Sequence, residues 1–65
     1  MILVNGEPSG VTPGATVRQI LDVLGAPDRG VAVAVDAEVV PRSEWDTVTV
    51  GDGARVEVLT AVQGG

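Results

Sequence analysis

Thr16-Val17-Arg18-Gln19-Ile20-Leu21-Asp22-Val23-Leu24-Gly25 is the stretch on which the fold turns. Thr16 and Gln19 stand three apart, the spacing of a capping box. The Thr16 hydroxyl can accept from the third helical N–H while Gln19 reaches back to the cap. Val17, Ile20, Leu21 and Leu24 then recur at helical spacing and form one apolar stripe. Ala15, just before the cap, is placed to staple onto Ile20. Gly25 supplies the left-handed C-cap, and Pro27 prevents the helix from resuming. The pattern predicts one helix over Val17 to Leu24.

Outward from this helix the chain reads as strand. On the N-terminal side, Met1-Ile2-Leu3-Val4 ends at Asn5-Gly6, the pair favoured in two-residue hairpins because both turn positions need positive φ. The return strand is expected from Glu7 to Thr12. Pro8 within it lacks an N–H and confines it to a sheet edge. On the C-terminal side, Val31-Ala32-Val33-Ala34-Val35 alternates large and small, which predicts valines toward the core and a low outer surface of alanines. Asp36-Ala37-Glu38 turns, and Val39-Val40 is a short strand stopped by Pro41. Residues Arg42 to Asp46 read as irregular. Val48 and Val50 resume alternation before the Gly51-Asp52-Gly53 turn. Ala54 to Val62 is the last strand, with Val56 and Val58 on one face and Arg55, Glu57 and Leu59 on the other.

One helix between a hairpin and further strands permits parallel pairing across the crossover. The expected fold is α+β: a mixed sheet of four to five strands packed on one main helix, with the first and last strands adjacent and parallel. This is the layout of a ubiquitin-like β-grasp domain. Sixty-five residues make a single domain over 1–65, with a thin stability margin.

Composition excludes several kinds of function. Cys, His and Lys are all absent, so the commonest nucleophiles and general bases are missing, as are disulfides and thiolate metal sites. A binding or carrier module is favoured over an enzyme. Nine acids against four arginines give a net charge of −5, with no basic stripe to recognise nucleic acid or an anionic membrane. No apolar run approaches a membrane span, and no signal-peptide pattern opens the chain.

The chain ends Gln63-Gly64-Gly65. Two terminal glycines fit either a frayed end or a tail shaped for chemistry. In the second case the reason is steric. A carboxylate must be activated, for instance as an acyl-adenylate, inside a closed site, and glycine leaves nothing to block entry or crowd the acyl carbon. From Thr60 onward an extended tail reaches roughly 20 Å. Residues 63–65 are expected to be a flexible C-terminal tail.

Taken together, Ile2-Leu3-Val4-Asn5, Thr16-Val17, Val31 to Val35, Pro41-Arg42…Trp45, Gly51-Asp52-Gly53 and Gly64-Gly65 resemble the ThiS family of thiamine-biosynthesis sulfur carriers along nearly the whole chain. Pro41-Arg42…Trp45 and the short length carry that likeness, since a terminal Gly-Gly is common to carriers of this type. Gln63 departs from the small apolar residue also seen there in relatives. The resemblance implies a cytoplasmic protein, monomeric when free, that is acted upon and binds no cofactor of its own. A ThiF-type adenylating enzyme uses ATP and Mg²⁺ on the Gly65 carboxylate. Sulfur from a persulfide donor such as a cysteine desulfurase then gives a thiocarboxylate, which a ThiG-type thiazole synthase consumes. Gly65 is the implied sulfur acceptor, and Gly64 and Gln63 the part of the tail threaded into the partner. A carrier for molybdopterin or cysteine biosynthesis, or a non-catalytic ubiquitin-like interaction domain, are the competing readings.

Leu3 and Leu59 alternate away from the core residues of their strands. With the first and last strands side by side, they are candidates for an exposed partner patch, against the plainer reading of scattered surface hydrophobes. Trp45, the single aromatic residue, is expected to plug one end of the core.

Overall fold

A computed structural model of the chain describes residues 1–27 and 29–60. The elements in order are β1 (Leu3–Val4), β2 (Glu7–Pro8), α1 (Val17–Leu24), β3 (Val31–Val35), β4 (Glu38–Val40), a 3₁₀ turn (Arg42–Glu44) and β5 (Arg55–Thr60). The five strands form one mixed sheet in the order β2-β1-β5-β3-β4. β1 and β5 are parallel, with Leu3 opposite Arg55 and Val4 opposite Val56. The other neighbours are antiparallel. The expected β-grasp arrangement is therefore present, with five strands.

The helix forms as its sequence dictates. The Thr16 hydroxyl accepts from the Gln19 N–H at 3.1 Å, and Gln19 Oε1 accepts from the Thr16 N–H at 2.8 Å. Gly25 closes the helix at φ 70°, where its lack of a Cβ removes the steric penalty. Val17, Ile20 and Leu21 are buried. Leu24 departs from the expected stripe and is 44% exposed. Ala15 is half-buried against the same core.

That core lies on one face of the sheet. Ile2, Val17, Ile20, Val33, Trp45, Val50 and Val56 are all essentially inaccessible. Val33 is opposite both Val40 and Val58, which places the valine row of β3 inward as its alternation predicts. Trp45 closes the core and donates from Nε1 to the Val40 carbonyl at 3.1 Å. Arg18 lies over its ring at 5.4 Å and its Nε reaches Asp46 at 3.2 Å.

Two strand boundaries are corrected, and the segment of resumed alternation between them is given its partner. The hairpin turn is as read, with Asn5 at φ 52° and Gly6 at φ 81°, but β2 stops at Pro8 rather than Thr12. Ser9 turns both its N–H and its hydroxyl onto the Ile2 carbonyl, and Val11 then swings into the core. Val48 to Val50 is not a strand. It runs beside the entry to α1, with Val17 N–H donating to Val48 O at 3.0 Å, Val50 N–H to Ala15 O at 2.9 Å, and a single bridge between Thr16 and Thr49. β5 starts at Arg55, because Ala54 still belongs to the preceding turn and donates to Gly51 O. In that turn Asp52 pairs with the N-terminal ammonium, and Gly53 donates to Met1 O.

Candidate functional site

β5 is the element that leads to Gln63, Gly64 and Gly65. These three lie outside the described residues, and the site is defined by the strand before them and the face beside it. β5 sits between β1 and β3, the most enclosed position in the sheet. Its inner residues Val56 and Val58 pack toward the core, while Arg55, Glu57 and Leu59 face the side away from α1.

Register determines what accompanies them on the outer face, because directly opposed residues share a face. Leu3 is opposite Arg55, Ala34 is opposite both Glu57 and Val39, and Ala32 is opposite Leu59. Leu3 and Leu59 thus share the outer face, but they are not neighbours. Leu59 lies four steps along β5 from Arg55, the residue opposite Leu3, about 13 Å at strand rise. Leu3 is half-buried, and Leu59 is 68% exposed.

The face is graded along the strands. Level with Leu59 it is apolar, with Ala32 beside it; two residues back, Ala34 lies between Glu57 and Val39, the latter 70% exposed. Toward the start of β5 it is charged, where Leu3, Arg55 and Glu57 border a hollow with the Asp36-Ala37 turn. Val39 was missed in the sequence, although the signal was present. In a two-sided β4 with Val40 inward, its neighbour must point outward. The alanines matter by being small, since they leave the two large side chains standing above a shallow floor.

Among the described residues, no group of three or more His, Cys, Asp or Glu side chains is arranged to hold a metal ion. No helix there is long and apolar enough to cross a membrane. Arg42 opens the 3₁₀ turn, and its carbonyl accepts from the Trp45 N–H at 3.2 Å.

A helix laid across one face of this mixed sheet, with parallel terminal strands and an apolar outer surface near the end of β5, defines a small ubiquitin-like domain. The ThiS family model matches residues 2–65. The sulfur carrier protein ThiS of Thermus thermophilus is 35% identical over 65 residues, covering all of both chains. The sulfur carrier protein ThiS of Escherichia coli is 31% identical, over 98% of this chain and 97% of that one. A thiazole synthase of Paramagnetospirillum magneticum is 36% identical over 64 residues, and this chain spans only 20% of its length. The crystal structure of the thiamine biosynthesis protein ThiS from Geobacter metallireducens superposes with a TM-score of 0.81 at 36% identity, covering 98% of this chain and 97% of that one. The chain belongs to the ThiS family.

Proposed function

We propose that this protein is a sulfur carrier for formation of the thiazole moiety of thiamine, with its Gly65 carboxylate as the sulfur acceptor. The observation that carries the reading is the match to sulfur carriers over their whole length, at 97% and 100% coverage. The chain itself supplies a handle, and the chemistry is done on it. A partner adenylating enzyme joins the Gly65 carboxylate to AMP from ATP with Mg²⁺, releasing pyrophosphate. A persulfide sulfur, from a donor such as a cysteine desulfurase, then displaces AMP at the acyl carbon. A thiol then attacks the donor-side sulfur of the resulting acyl disulfide, releasing the thiocarboxylate and leaving a disulfide between that thiol and the donor cysteine. Gly64 and Gln63 thread the carboxylate into the partner.

Composition supports this division of labour. With no Cys the chain has no thiol on which to carry a persulfide, and with no Lys it has no side-chain amine to capture its own activated terminus. The graded outer face, with Leu59 near the end of β5 and Leu3 farther back, is the surface we assign to partner docking. Thiazole synthase is the proposed sulfur acceptor. A relative of that name in which a domain like this one makes up a fifth of the length supports the assignment. The working compartment in this reading is the cytoplasm, where ATP and the persulfide donor are at hand.

The test is intact-mass measurement after incubation with ATP, Mg²⁺, a ThiF-type enzyme and a persulfide source. The expected product is heavier by the difference between one sulfur and one oxygen atom, localised to Gly65. Deletion of Gly65 is expected to abolish the shift, because displacement of a reacting group by even an ångström costs on the order of a hundredfold in rate. A normal product from the deletion, or a label elsewhere, sinks the reading.

A further inference from the structure

β1 ends abruptly beside β5, and one side chain continues it. The backbone register of the parallel pair ends at Val4 opposite Val56. At the next residue the Asn5 N–H still donates to the Val56 carbonyl, at 2.8 Å. In a continuing parallel strand, the carbonyl of that same residue would accept the next β5 N–H, from Val58. Here it does not. Asn5 has φ 52° and begins the turn to β2, so its carbonyl is directed away from the ladder. The Val58 N–H instead donates to Asn5 Oδ1 at 2.8 Å. Because the partner is an N–H, the Asn5 atom must be the amide oxygen.

This bond holds β5 on its β1 side two residues before the last described residue, Thr60. On the opposite side β3 remains paired through Thr60. Without the Asn5 amide, the terminal part of β5 would be a strand hydrogen-bonded along one edge only.

We propose that Asn5 is a positioning residue for activation of the tail: its side-chain carbonyl holds Val58, and so the end of β5, in the register from which residues 61–65 reach the partner's nucleotide site. The inference rests on the carrier reading above. It acts through placement rather than docking, since the outer-face residues Leu59 and Val39 do not contact Asn5 through any bond described. The effect therefore belongs in kcat for adenylation, not in KM for the carrier.

The experiment uses the full chain with a ThiF-type adenylating enzyme, ATP and Mg²⁺, measuring ATP–pyrophosphate exchange alongside amide hydrogen exchange by NMR. Asn5→Gly removes the amide while accepting the positive φ without strain. Asn5→Asp keeps an acceptor oxygen at the same position. Asn5→Gly is expected to speed exchange of the Val58 amide about five- to tenfold, with Val33 unchanged. It is expected to lower kcat roughly three- to tenfold, with KM unchanged. Asn5→Asp is expected to restore both. Unaltered Val58 protection in Asn5→Gly overturns the proposal, as does a freed Val58 with wild-type kcat, or a rise confined to KM. If Asn5→Gly loses protection at Val33 as well, failure of Asn5→Asp to recover kcat overturns it. Absence of pyrophosphate exchange with the wild-type chain overturns the carrier reading itself, and the positioning role with it.

Discussion

Asn5 and Asp36 make the same use of a left-handed backbone. Each opens a tight turn at positive φ, and each replaces its own diverted carbonyl with a side-chain oxygen on β5. Asp36 donates its N–H to Arg55 O at 2.8 Å and accepts the Arg55 N–H on Oδ1 at 3.0 Å. β5 is thus held near its start by one turn residue and near its end by another. Ala37 follows Asp36 at φ 70° with no side-chain hydrogen bond to justify the conformation. A Cβ in that region is disfavoured, whereas glycine adopts it freely. Ala37→Gly is expected to stabilise the fold by about 0.5–1 kcal/mol, the relief exceeding the added entropy of the unfolded chain. Urea unfolding, read as a rise in midpoint at constant slope, checks this. The Asn5-Gly6 turn was legible in the sequence because its chemistry is local. The bond from Asn5 to Val58 was not, since it links residues 53 apart and exists only once β5 is in place.

The helix is the element most fully written in its own residues. Its cap, apolar stripe and stop lie within ten consecutive positions, and the observed bounds coincide with the expected ones. Thr16→Ala leaves the Gln19 N–H without its acceptor and is expected to cost about 1 kcal/mol, measurable by thermal or urea unfolding. Strand ends were harder to read. The alternation at Val48 and Val50 is genuine, and Val50 is buried, but the partner is the irregular approach to α1 rather than a strand. Periodicity reports which side chains point inward and is silent about what the backbone pairs with. β2 ends earlier than its sequence suggests for a related reason: Ser9 satisfies the Ile2 carbonyl with its hydroxyl as well as its N–H, which no pattern of hydrophobicity encodes. The β2 edge is nevertheless protected, since Pro8 has no N–H to offer there.

At the scale of the molecule, one small core must support everything. Val33 sits at its centre, 1% exposed between Val40 and Val58. Val33→Asp is expected to unfold the domain, because a buried carboxylate there has no partner and the valine packing is lost as well. Loss of a cooperative transition in circular dichroism is the check. Leu59→Asp is the contrasting case. At 68% exposure it is expected to leave the melting temperature within a few degrees of wild type. It is expected to lower kcat/KM for adenylation by more than about tenfold if the outer face docks the partner. The fold class and the inward valines were legible because hydrophobic period and turn residues record them directly. The outer face was only half legible: alternation assigns Leu3 and Leu59 to one side, but their separation depends on the β1–β5 register, which two residues of β1 do not announce. That register has a mechanical consequence. The parallel pairing of the first and last strands means that a pull on the two ends of the chain loads the β1–β5 bonds side by side, in shear, rather than peeling them one at a time. Tension on the tail as it is drawn out of a tight enzyme site is therefore shared along β5, and the sheet resists being unzipped from the end that is handled.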